Sequence, residues 1–323
     1  MDELPPINMS VALTTGSRAF GAGPMVSRAE AAAVTAGLRR ALEASIEPAL
    51  EVSRMGVSLS GADAVVDRTT WIRLNLEMIE AMFERSGVRT KPVTRRNSVQ
   101  AGFNGAQLGA AFAYVGSRIL GQYLPFRQEP LLVLVAPNIA KVEAALGVVP
   151  SDFRLWVALH ERIHQLQFAR APWLADRMAE SLARLMVTGT DTPSPRRGAG
   201  LVGAFLTVQQ REVLDRLSAE MALLEGHADV MMDRAGTATV RTLPIIRRRF
   251  DERRARRGWV AVVNRLLGMD LKLAQYREGA AFCRAVIEKV GVEGLNAAYE
   301  SAEFLPSPGE ISDPDEWVRR VHG

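Results

Sequence analysis

The segment Asp152–Phe168, DFRLWVALHERIHQLQF, constrains this chain more than any other. Phe153, Leu155, Trp156, Val157, Leu159, Ile163, Leu166 and Phe168 fall on nearly every side of a 3.6-residue helix. A helix that is apolar all round is a buried one, so the fold has to be built around it. Yet this helix also carries His160, Glu161 and His164, and buried polar groups without partners cost kilocalories each. His160 and His164 are four residues apart, so they leave one face one turn apart. Two imidazoles so placed can reach one tetrahedral zinc ion. Glu161 lies one residue round from His160, poorly placed to join the ligands but able to reach a water at the ion. This H-E-x-x-H pattern points to metal-assisted hydrolysis with Glu161 as general base. The competing reading is a pair of core histidines bonded to carbonyls.

A catalytic zinc needs a third protein ligand. The chain has four histidines and one cysteine, Cys283, so no cysteine cluster can supply it. His322 is one residue from the end and is expected to fray. The remaining candidates lie in Met221–Asp229, MALLEGHAD. Its helix has an inward stripe at Leu214, Leu217, Met221, Leu224 and Ala228, with Glu225 on the edge and His227 turned away. An acid beside a buried stripe needs a cation facing it, either a metal or the basic partner of an ordinary salt bridge. Glu225 and His227 both stay open as third ligand on this reading. Gly226 would let the two helices approach closely. Asp229, one turn after Glu225, could accept the far N–H of a ligand histidine. His227, Tyr276 and an arginine are candidates for a second-sphere or oxyanion-stabilising donor.

The rest of the chain predicts a mostly helical protein with a minor strand element. Aromatics make up 6% of its 323 residues, while Ala, Leu, Arg and Glu abound. Residues 1–25 read as a loop segment, and 26–323 as a single domain that could divide only near the breaker stretch 188–200. Ser27 and Glu30 form a capping box for a helix to about residue 55. Asp67 caps a second helix, and 97–124 read as a third, rich in small residues. Leu131–Val135 is the convincing strand. Helices are expected to follow to Leu146, from Pro172 to about 187, and from about 204 to 234 before Gly236. Asp313-Pro314 starts a last one.

The acidic, proline-containing N-terminus does not read as an export signal, and no apolar stretch is long enough to be expected to span a bilayer. The expectation is a cytoplasmic protein with no membrane partner. The net charge is +4. Residues 241–257 hold eight Arg against Asp251 and Glu252, and without aromatic interleaving they read as a solvated helix face rather than a nucleic-acid surface.

Several stretches taken together resemble a known family. They include Asp67-Arg68 with Trp71 and Asn75, Leu120–Tyr123 (LGQY) and Leu132–Ile139 (LVLVAPNI). They continue through Asp152–Glu161 with His164, Gln167 and Phe168, then Pro172–Leu174 (PWL), Leu224–Asp229 with Met232 and Asp233, Arg247–Phe250 (RRRF), and Gln275–Arg277 (QYR) with Gly279 and Phe282. The chain resembles the actinobacterial zincin-like zinc-dependent metalloproteases, also described as hydrolases associated with coenzyme F420 biosynthesis. The resemblance implies a mainly α zincin-like fold with the HExxH helix buried at its centre. Glu225-Gly226 also looks like the Glu-Gly segment of the wider Glu-zincins, in which the Glu is the third ligand. That implies Zn2+ on His160, His164 and Glu225, and a peptide or amide substrate. The F420 link implies no particular step. Arg162, a bulky cation in the motif's variable position, departs from the common pattern and could alter the cleft. The alternative function is a zincin-fold binding or regulatory protein whose metal is structural, closed by Asp229.

Overall fold

The computed structural model describes residues 3–21, 23–59, 61–186, 207–257 and 274–323, with side chains left aside at 186 and 253–277. The chain divides into two compact units, residues 1–46 with 60–165 and residues 47–59 with 166–323. The expected division near 188–200 lies outside the described residues.

The first unit holds a small mixed sheet. Strands β2 (Ala62–Val66) and β4 (Gly121–Leu124) flank β5 (Leu131–Val135), β2 parallel and β4 antiparallel to it. The continuous apolar run of β5 is explained by its central place: Leu132 to Val135 are wholly buried. A second, two-stranded pair joins β1 (Glu3–Leu4) to β3 (Arg89–Thr90). The helices are α1 (Met9–Phe20), α2 (Arg28–Ala44), α4 (Arg68–Ser86), α5 (Ser98–Gly116), α6 (Ala136–Leu146) and α7 (Pro150–Arg170) up to residue 165.

Here three expectations give way. The segment 1–25 is not all loop, because Asn8 caps α1 through its side chain on Val11 N–H. The sequence of α1, MSVALTTGSRAF, has weak helix propensity, and tertiary packing holds it instead. A Cβ on Gly105 would lie 2.3 Å from Asn8 O, and one on Gly109 would lie 2.2 Å from Ala12 O. The two helices therefore meet backbone to backbone. The helix expected over 97–124 ends at Gly116, and 121–124 become strand β4, since pairing with β5 outweighs local preference. The first long helix breaks at Ser45, and α3 (Ile46–Ser53) restarts with Pro48 in its first turn, where no N–H is available to continue the ladder. The caps at Ser27 and Asp67 form as expected.

The second unit is helical. With α3 and the end of α7 it contains α8 (Trp173–Met186), α9 (Val208–Thr239), α10 (Leu243–Arg257), α11 (Ala274–Asn296), α12 (Pro308–Ser312) and α13 (Pro314–His322). Gly236, at φ 59°, interrupts α9 where a helix end was expected. Gly226 does permit a close approach, but to α11: its Cβ would stand 2.3 Å from Gly279 C. Trp317 is fully buried and donates from Nε1 to Phe304 O at 2.8 Å. His322 does not fray, because its Nε2 lies 3.0 Å from Gly294 O and its ring packs on Trp317.

Candidate metal centre

The continuous helix α7 carries the motif, and the burial read from its apolar surround is observed. Phe153, Val157, Ala158, Leu159, Ile163 and Leu166 are all buried, and so are the polar Glu161, Arg162, Gln165 and Gln167. His160 and His164 keep partial exposure. Their Nε2 atoms point at each other across 3.1 Å, with ring planes at 89°. Two nitrogens at 2.0–2.1 Å from a tetrahedral zinc would be separated by about 3.3 Å, so the pair fits a shared metal with almost no adjustment. Glu225 and His227, the two candidates for third ligand, both belong to the second unit.

The first unit fixes Glu161 from β4. A Cβ placed on Gly121 would fall 2.5 Å from Glu161 Cγ and 2.9 Å from Oε1. Only a glycine leaves room for the carboxylate there. Side chains alternate along a strand, so Tyr123 shares the face of β4 that Gly121 turns to Glu161. Burial pushes the Tyr123 phenol up to about 12, so it stays a neutral O–H donor across the physiological range. Sequence reasoning missed Tyr123 because it read 121–124 as helix; period-two alternation over Gly121–Leu124 would have been the signal.

Arg162 turns its guanidinium to α2 and β2. Its guanidinium donates to both Asp63 oxygens, at 3.0 and 2.5 Å, to Leu42 O at 3.0 Å, to Ser45 Oγ at 3.3 Å and to Gln165 Oε1. A bulky cation in the motif thus ties α7 to α2 and β2.

In the second unit, Gln167 sits one turn beyond His164. Its amide nitrogen donates to Leu224 O at 2.8 Å and lies 3.1 Å from His227 Nδ1, so it holds α9 on both sides of Glu225. His227 is completely buried, contrary to the outward placement expected from the stripe. On a 100° wheel Glu225 and His227 stand about 80° to either side of Leu217, and α9 is covered on both flanks. The His227 ring meets Tyr299 edge-on, with centroids 5.4 Å apart. Tyr299 is itself buried, which drives its phenol well above its ordinary range, with the Gln167 amide opposing. His227 is thus enclosed by protein on the Gln167 and Tyr299 sides.

Asp229 does not turn to a ligand histidine. Arg247 donates to its carboxylate and Arg284 lies 3.5 Å from it, while the same two arginines reach Asp233 at 2.7 and 3.2 Å. The Tyr276 side chain lies outside the described residues. Of the basic run, Arg247 is an ion-pairing residue, and the side chains from 253 onward are likewise outside them.

No helix among the described residues is long and apolar enough to cross a membrane. A family profile described as zincin-like metallopeptidase matches residues 7–318. A protein from Chloroflexus aurantiacus, whose crystal structure is described as that of "a putative hydrolase with a novel fold", is 29% identical over 97% of this chain and 98% of its own, with a TM-score of 0.73. No curated protein matches the chain.

Proposed function

The chain belongs to the zincin-like metallopeptidase family, and from that premise we propose that it is a zinc-dependent hydrolase of peptide or amide bonds. The observation that carries this reading is the His160–His164 pair, whose Nε2 atoms face each other across 3.1 Å, with Glu161 on the same helix. His160, His164 and Glu225 would hold the metal. Zinc bound there supplies Lewis acidity toward a carbonyl oxygen and lowers the pKa of water toward neutrality. Glu161 takes a proton from the attacking water at its carboxylate and passes it to the leaving amine. The Gly121 backbone fixes where that carboxylate stands. Tyr123, neutral and on the same strand face, is the donor we assign to the developing oxyanion in place of His227, whose ring is engaged by Gln167 and Tyr299.

The alternative of a structural metal required Asp229 to close the ligand set. Its carboxylate is engaged by Arg247 and Arg284, which counts against that role.

The test pairs metal content with turnover. Purified native protein should carry about one zinc and cleave a quenched-fluorescence peptide library or casein. Glu161→Gln should keep its metal and lose at least about a hundredfold in rate. Equal rates in the two proteins would remove Glu161 as the base, and a native protein that takes up no zinc would remove the metal.

A further inference from the structure

The α1–α5 pair carries a surface that the metal centre does not use. Residues 86–128 hold six basic side chains and no acidic one, and residues 4–27 add Arg18 and again no acid. Over the whole chain one residue in about nine is acidic. The cations there are largely unspent. Arg127 pairs with Glu77, and Glu3 stands opposite Arg89 in the β1–β3 register. Arg18, Lys91, Arg95 and Arg96 are exposed and make no ion pair among the described residues. Arg118 lies 3.8 Å over the Tyr114 ring instead of meeting an acid.

Between these cations lies an apolar stripe open to solvent. On α5 the glycines at 105, 109 and 116 and the alanines at 101 and 113 face inward. The opposite side presents Val99, 86% exposed, and Phe103, 63% exposed, in line with Gln107, Ala110 and Tyr114 one, two and three turns further on. The helix has no charged residue from Ser98 to Gly116. Val93, six residues before Val99 and 48% exposed, extends the apolar character at this end of the helix. This is a convex helix face and not a groove, so protruding side chains, not a receiving pocket, define what it fits.

We infer that the outer face of α5, with its flanking Lys91, Arg95 and Arg96, is a docking surface for an anionic lipid membrane. Protruding Val and Phe enter the headgroup–acyl boundary while cations at the rim meet acidic headgroups. Segments 4–27 and 86–128 contribute no acid of their own, which lowers the repulsion that such a bilayer would meet. It also disfavours a second copy on this face, because two such surfaces would bring like charges together. The expectation of no membrane partner rested on the lack of a spanning segment; this surface would lie on a bilayer and not cross it.

Cosedimentation of the full chain with vesicles tests this. Vesicles of phosphatidylcholine containing about 30% phosphatidylserine should bind it at least ten times more tightly than pure phosphatidylcholine, and added salt should weaken binding. Val99→Gln with Phe103→Gln, and separately Lys91→Gln with Arg95→Gln and Arg96→Gln, should each lower binding about tenfold or more. All five side chains are exposed, so circular dichroism and the melting temperature should match the native protein. Binding that ignores lipid charge, no vesicle binding at all, or variants that bind like the native chain would each overturn the inference. So would a dimer in sedimentation velocity that the Val99/Phe103 variant abolishes, since the face would then cover a second copy. Zinc content and hydrolysis do not enter these readouts, so the result stands apart from the proposed activity.

Discussion

Helices α5 and α7 are similar in length, and neither divides cleanly into an apolar and a polar side, yet they reach that state from opposite directions. α7 is buried almost all round and places Glu161, Arg162, Gln165 and Gln167 inside. Each then needs partners, and Arg162 alone makes five donations. α5 has nothing charged to satisfy. It buries glycine and alanine against α1 and leaves Val99 and Phe103 in water. In one helix polarity is hidden and must be specified atom by atom. In the other only volume is specified, on one side. Composition alone does not separate these cases; what separates them is what each helix packs against.

The largest expected effect probes the buried polar side of this contrast. Arg162→Ala would strip Leu42 O, Ser45 and Gln165 of a buried donor and should cost about 2–3 kcal/mol in urea unfolding. A loss under about 1 kcal/mol would mean that these buried hydrogen bonds contribute no more than exposed ones. Gly109→Ala probes the volume side. Its methyl group would meet backbone atoms of α1, including Ala12 O at 2.2 Å, so a loss of about 2–3 kcal/mol in the same assay is expected. If that protein is as stable as native, the seam is looser than its geometry.

Gln167→Leu removes the amide that holds α9 at Leu224 and His227. Zinc affinity, measured by chelator competition, should fall about tenfold to a hundredfold, and the visible spectrum of the cobalt-substituted protein should change. A lower melting temperature with unchanged zinc affinity would make Gln167 a packing residue only.

The smallest effect concerns Glu220. Burial raises its pKa, opposed by the hydrogen bond and charge of Arg177. A carboxyl with a raised folded-state pKa contributes stability that is present below about pH 4.5 and is lost as pH rises through the raised value. Glu220→Gln should therefore gain on native protein as pH climbs through that window, by less than about 1 kcal/mol given the half-exposed arginine. A melting-temperature difference that stays flat with pH would show that Arg177 cancels the burial.

The parts legible in the sequence were those that local chemistry fixes. Two histidines four apart, a capping serine with its glutamate and a run of five β-favouring residues each state their geometry directly. The resemblance pointed to Glu225 over His227 as third ligand, and the complete burial of His227 between Gln167 and Tyr299 is compatible with that. What the sequence hid depended on partners far along the chain. α1 exists because Gly105 and Gly109 admit it, β4 because β5 offers an edge, and Asp229 faces arginines that arrive from α10 and α11. Tyr123 was hidden for the same reason, since its direction is set by a strand that only pairing creates. His227 was misplaced by treating α9 as buried along one stripe, when its flanks are covered as well.

The backbone-to-backbone seam of α1 and α5 has a consequence for how the chain can diverge. A contact made by main-chain atoms through missing side chains transmits nothing to the residues on the far side of the helix. The outer positions of α5 can change identity freely while the inner ones are held to glycine and alanine. Relatives with the same helix pair could therefore differ in what they dock against without any change in architecture, and comparing their outer faces would read out partner choice separately from fold.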